Sequence, residues 1–131
     1  MEKYTFEYNF KASVKKLFAM LSTVDGLNLW FADKVSATDD IFHFIWDDDT
    51  ELTAKITNIK ELEMVHFTWI NGESDKYFEF RINTDSISNE ISLLITDFAF
   101  ENELKEKEMI WNSAVNKLMH AIGSRFSNIN T

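Results

Sequence analysis

Strand-like sequence stops at Phe100, and the residues that follow read as one long amphipathic helix. Leu104, Trp111, Val115, Leu118 and Ile122 share a stripe, with Ile110, Ala114, Met119 and Phe126 beside it. A helix with so wide an apolar face must lie on something, and the available partner is the sheet encoded before it. The chain is thereby confined to α+β architectures in which a sheet holds a terminal helix. What lies between the two is the functional question.

The preceding residues supply that sheet. Tyr4, Phe6, Tyr8 and Phe10 alternate with Thr5, Glu7 and Asn9, the period of a half-buried strand. Ser13 offers an N-cap oxygen, and Val14, Leu17, Phe18 and Leu21 follow at helical spacing. Ser22 and Thr23 break that helix, and Val24 to Trp30 forms a second, short one containing Gly26. From Val35 to Phe100 the pattern is strands only. A short one covers Val35 to Thr38, and Phe42, Phe44 and Trp46 form the next inward row before the Asp47-Asp48-Asp49-Thr50 turn. Leu52, Ala54 and Ile56 follow, then Val65, Phe67 and Trp69. Asn71-Gly72 predicts a tight hairpin because both residues tolerate positive φ. Phe78, Phe80 and Ile82 continue the row, Asn83 to Ser86 turns the chain, and Ile91, Leu93 and Ile95 make the last strand. The expected order is β-α-α-β6-α. An antiparallel meander wraps the final helix, the first strand pairs with an edge, and residues 1–131 form one domain.

Composition limits the partners. The net charge of −9 repels a nucleic-acid backbone, so no nucleic-acid partner is expected. No apolar run approaches the ~20 residues that span a bilayer, and the N-terminal residues lack the basic and apolar regions of a signal peptide. The absence of cysteine excludes disulfides and thiolate chemistry and suits a reducing, cytoplasmic setting. Twelve Phe and four Trp, against three Gly and no Pro, suit either a tightly packed core or a lined cavity.

The order of elements, with particular residues at particular places, resembles the helix-grip fold of the START-like (SRPBCC) superfamily, and within it the branch related to Aha-type activators of heat-shock ATPases. The residues that carry the resemblance are Ser13-Val14-Lys15-Lys16-Leu17-Phe18, Leu29-Trp30-Phe31, Phe44-x-Trp46, Val65-His66-Phe67-Thr68-Trp69 and Trp111-x-x-x-Val115-x-x-Leu118. Leu94-Ile95-Thr96-Asp97-Phe98-Ala99 is similar to a small bacterial START-like subgroup. The resemblance implies an apolar cavity between sheet and final helix, which different members use for lipids, hormones or polyketide intermediates. One departure is Asp39-Asp40, where the Aha-like branch carries glycines in the hairpin before Phe44.

Trp30, Phe44, Trp46, Phe67, Trp69, Phe80, Trp111 and Val115 are the candidate ligand-binding residues. Two readings stay open for the aromatic ones. They line a pocket whose indole N–H groups orient a ligand, or they fill the core with each N–H bonded to a carbonyl. Asp97 is placed where the last strand becomes the loop before the helix. There it serves either as a ligand anchor or base, or as an acceptor for backbone amides of the turn. Asp47, Asp48, Asp49 and Glu51 lack the glycine and distant bidentate Glu of a calcium loop and read as a solvated turn. His43, His66 and His120 fall on outward faces without ligand spacing, so neither metal nor cofactor is expected. No nucleophile elbow or phosphate-cradling loop is present, and no catalytic residue is assigned. Glu101, Glu103, Glu106 and Glu108 complement the helix dipole or offer a docking face to a basic partner.

The functional expectation is non-catalytic binding of a small apolar or amphipathic molecule beneath the C-terminal helix. The alternative is a co-chaperone-like interaction module acting through an acidic surface. A cyclase or hydrolase is the third reading.

Overall fold

The computed structural model describes residues 1–70, 76–85, 87–88 and 90–123. The expected Asn71-Gly72 turn, Ser86 and Phe126 lie outside those residues. Among the described residues the chain forms seven strands and three α-helices. They run in the order β1 (Glu2–Phe10), α1 (Val14–Ser22), α2 (Val24–Trp30), β2 (Lys34–Thr38), β3 (Ile41–Ile45), β4 (Glu51–Lys60), β5 (Met64–Trp69), β6 (Tyr77–Thr84), β7 (Ile91–Ala99) and α3 (Leu104–Ile122). A single 3-10 turn, Glu101–Glu103, leads into α3.

Every strand pairing is antiparallel, and the sheet order is β1-β7-β6-β5-β4-β3-β2. Strands β2 to β7 follow one another as a meander, and β1 closes onto β7 as the far edge. A register shift between Ile56 and Asn58 interrupts the β4–β5 ladder, a feature that bends a strand and increases its twist. With α3 on its inner side, the sheet has the expected helix-grip form of an α+β fold.

Local chemistry explains the helix boundaries. Ser13 Oγ accepts the Lys16 amide at 3.0 Å and so caps α1. Thr23 ends α1 and begins α2. Its Oγ1 accepts the Gly26 amide at 3.0 Å and donates to the Ala19 carbonyl at 2.7 Å. Gly26 is where the two helices touch. A Cβ there would sit 2.5 Å from both Ala19 O and Met20 Cα, so the close approach itself demands glycine. Gly123, at φ 72°, terminates α3 in the left-handed conformation that glycine adopts without strain.

Asp39 supplies the left-handed residue of the two-residue β2–β3 turn at φ 57°, and the Asp40 carbonyl accepts the Ile56 amide at 2.9 Å. Aspartate tolerates that region better than most residues. A glycine is therefore not required for the turn, which accounts for the departure noted at Asp39-Asp40.

The core lies between the sheet's inner face and the helices. Phe67 and Phe78 stack at 4.6 Å between ring centroids, and Phe31 stacks on Phe78 at 5.2 Å. Trp111, Val115, Leu118, Met119 and Ile122 bring α3 onto this layer. The stripe on α3 is narrower than the sequence suggested. Leu104 is 38% exposed and Ile110 57% exposed. Ile110 is turned about 100° around the helix from Trp111, toward a gap beside α2 that the sheet does not reach.

Candidate functional site

α2 and α3 do not close against each other along their whole length. Between them, and under the β3–β4 turn, opens a cleft of about 820 Å³. Its α3 wall is Glu106, Met109, Ile110, Ser113, Ala114 and Lys117, residues at helical spacing on the face adjoining the buried stripe. The opposite wall comes from Asn28 to Asp33, at the end of α2 and just beyond it, and from the turn around Trp46. Leu29, Met109 and Ile110 present apolar surface to it at 60%, 68% and 57% exposure. Leu29 is exposed because its α2 neighbours Leu27 and Trp30 take the buried side.

The floor is aromatic and fixed by hydrogen bonds. Trp46 lies just past the end of β3, and its Nε1 donates to the Phe31 carbonyl at 2.9 Å. Trp30 Nε1 donates to the Met20 carbonyl at 2.9 Å, tying α2 to α1. Phe31 sits between them, its ring 4.8 Å from Phe44, 5.6 Å from Trp46 and 5.9 Å from Trp111. The sequence placed Phe31 only as the residue ending a motif. It follows the last helical residue, outside both the 3.6 and the 2.0 periods, so pattern reading gave it no role.

The rim is acidic. Asp33, Asp47, Asp48 and Glu106 border the cleft, with Lys117 as the basic residue of its lining. The Asp33 carboxyl is within hydrogen-bonding reach of Asp47. That bond and the Asp33 charge push the Asp47 carboxyl above the ordinary aspartate value, while Lys117 pulls it back. Asp48 Oδ1 accepts the Thr50 amide at 3.1 Å, and bonding to Thr50 holds its carboxyl below the ordinary value. Asp47, Asp48 and Asp49 form an exposed turn, as expected, and Glu51 opens β4.

Of the nine residues singled out from the sequence, Trp30 and Trp46 line this cleft. Phe44, Phe67, Phe80 and Val115 are fully buried, Trp111 is nearly so, and Trp69 packs half-buried against Phe78 at 4.7 Å. Phe44 joins Phe67 at 6.2 Å, and Phe80 joins Trp111 at 6.1 Å, so these rings form one layer behind the floor.

Asp97 requires a correction. It lies within β7, not in the loop after it, and continues the buried row Ile91, Leu93, Ile95, Asp97, Ala99. Its Oδ2 accepts Trp111 Nε1–H and the Tyr4 hydroxyl, each at 3.1 Å, and its Oδ1 accepts the Phe98 amide at 2.7 Å. One carboxylate thus joins the first strand, the last strand and the last helix. It is absent from the cleft lining. Burial pushes the Asp97 carboxyl above the ordinary aspartate value of 3.8. The Phe98 amide, the Lys107 charge and the Trp111 and Tyr4 donors pull it back. Burial and the Asp97 charge in turn raise the Tyr4 phenol.

The pH consequence follows from the sign. A carboxyl that holds its proton more tightly folded than unfolded loses stability as pH rises from 3.8 through the raised folded value. Wild type is therefore expected to lose stability relative to Asp97→Asn over that interval and to run parallel to it above. Urea denaturation of both proteins at stepped pH tests this, and parallel curves throughout would refute it.

The expected histidine placements hold for His43 and His120, which are exposed. His66 pairs with Glu79 at 2.9 Å on the outer sheet face. No group of metal-ligating side chains occurs among the described residues. None of the described helices is long and apolar enough to cross a membrane.

Comparison with known proteins agrees with this fold. A solution structure of BfR322 from Bacteroides fragilis is 30% identical, matches 99% of this chain and 97% of its own, and superposes with a TM-score of 0.66. The Aha1 dimer from Colwellia psychrerythraea shares the fold at 17% identity and a TM-score of 0.78, over 93% of this chain and 96% of that one. DynU16, a protein of the dynemicin biosynthetic locus, reaches 0.76 at 12% identity, over 92% of this chain and 46% of its own. No curated protein matches. The family model for the START-like superfamily domain matches residues 1–124, and the chain belongs to that superfamily.

Proposed function

We propose that this protein binds a small apolar or amphipathic molecule, without catalysis, in the cleft between α2 and α3. The observation that carries the reading is the convergence of Leu29, Met109 and Ile110, all more than half exposed, on one aromatic-floored cleft. Exposed apolar side chains scattered singly need no explanation, but a grouped set around a concavity marks a binding surface. About 820 Å³ falls within the range of small-molecule sites, roughly 300–1,000 Å³. Trp30 and Trp46 contribute the floor with Phe31. Phe44, Phe67, Phe80, Trp69, Trp111 and Val115 support it from behind, and Asp97 holds the helix in place.

Protein docking through an acidic surface is the second reading, favoured by the carboxylates on the rim. A docked partner would be released by high salt, because exposed charge pairs are screened. The cleft favours the small molecule, since its apolar walls face inward across a gap and do not form a flat patch.

Decanol, a neutral probe, is expected to bind saturably by titration calorimetry at a stoichiometry of about one. Replacing Met109 and Ile110 with glutamate is expected to weaken it at least about tenfold by making the α3 wall charged. Decanol binding that survives this double substitution would place the site elsewhere.

A further inference from the structure

We propose that the free edge of β1 pairs with β1 of a second copy of this chain, antiparallel and centred on Thr5, to form a symmetric dimer with one continuous sheet.

The sheet has two edges, and the fold treats them differently. β2 has five residues, and α2 occupies one of its donors: the Val35 amide donates to Asn28 Oδ1 at 3.0 Å. β1 runs for nine residues and keeps its partners on β7 from Glu2 to Phe10 without a register shift. Among the described residues, no group outside the sheet bonds to the β1 backbone. A long, regular strand with one open row of amides and carbonyls is a template for another strand. Its inward row is also unfinished. Phe6 and Tyr8 are half-buried, whereas Ile95 and Leu93, opposite them on β7, are fully buried.

The occupant follows from the strand's own residues. Antiparallel pairing about Thr5 sets Lys3 opposite the partner's Glu7, and twofold symmetry repeats that pair. Both side chains lie on the outer face, since the even-numbered residues of β1 turn inward. On the inner face Tyr4 meets the partner's Phe6, again twice, which covers the half-buried rings. Moving the centre to Phe6 leaves Lys3 opposite Asn9 and Glu7 opposite Thr5. A centre at Glu7 sets the two Glu7 carboxylates against each other. The register at Thr5 is therefore the self-complementary choice. The net charge of −9 opposes association at long range. At physiological salt that repulsion is screened beyond about 8 Å, whereas paired side chains across strands stand about 5 Å apart.

Sedimentation equilibrium at physiological salt, from micromolar to submillimolar protein, tests the pairing. The unaltered chain is expected to show a monomer–dimer equilibrium. Glu7→Lys and Lys3→Glu should each weaken the dimer at least about tenfold, because each sets like charges opposite at two symmetry-related positions. These two changes shift the net charge in opposite directions, so a loss in both does not come from overall charge. The combined Lys3→Glu/Glu7→Lys chain restores the unlike pair in reversed order and should recover the affinity to within about threefold. Lys3 and Glu7 are exposed, and among the described residues neither holds an ion pair within its own chain, so the monomer fold is expected to persist in every variant. A monomer at all concentrations would overturn the proposal. So would species larger than a dimer, a dimer indifferent to either single change, or one that the combined change fails to recover.

Discussion

Phe31→Ala is expected to lower the unfolding free energy by about 4 kcal/mol, within the range for deleting a buried phenylalanine ring. Phe31 is 8% exposed and touches rings from α2, β3, β6 and α3. No single neighbour can move into the space without leaving another contact. With total stability of small domains near 5–15 kcal/mol, the variant stays folded only under mild conditions. In those conditions it should also lose decanol binding, because Trp46 keeps its bond to the residue 31 carbonyl but loses the ring beneath it. Chemical denaturation gives the first number and calorimetry the second. A cost below about 1 kcal/mol would show that the aromatic layer closes over the gap, contrary to the cavity cost of a rigid site.

Gly26→Ala opposes two principles. By helix propensity alone, alanine in place of a helical glycine stabilises by up to about 1 kcal/mol. Here the added methyl meets Ala19 O and Met20 Cα at 2.5 Å, and both are backbone atoms that no rotamer change can move. α2 must shift bodily, disturbing the Thr23 cap and the Trp30 bond to Met20. A net loss of about 3 kcal/mol is expected, at the upper end for overpacking. Because the propensity effect has the opposite sign, a measured gain in stability would directly contradict the close contact of α1 and α2.

What could be read from the sequence was what repeats. Tyr4 to Phe10 and Ile91 to Ile95 announced their strands by alternation, and Ser13 its helix by the chemistry of a cap. Trp111, Val115, Leu118 and Ile122 showed the terminal stripe, since a helix repeats its buried face every three or four residues. Periodicity fails where partners are distant or where a face is apolar but uncovered. Ile110 belongs to the stripe by composition and stands open because the cover ends at α2. Asp97 has the inward phase of β7, but its donors lie on β1 and α3, which one-dimensional spacing cannot reveal. Asp33 and Asp47 meet only after β3 has folded back on β2. The candidate site was thus legible as an aromatic layer, while its opening and its acidic rim emerged only from the folded arrangement.

The position of β1 at the sheet edge bears on how the molecule comes to be folded. Among the described residues its strand neighbour is β7, and side-chain bonds that secure it reach 93 residues to Asp97 from Tyr4 and 104 residues to Asn112 from Tyr8. Such distant pairings carry a large loop-closure cost and slow folding. During synthesis, the alternating aromatics of Tyr4 to Phe10 precede their partner strand and remain without a mate until Ile91 to Ala99 has followed. For that interval the nascent chain carries an unpaired, aromatic-rich strand, the kind of segment that chaperones capture or that aggregates.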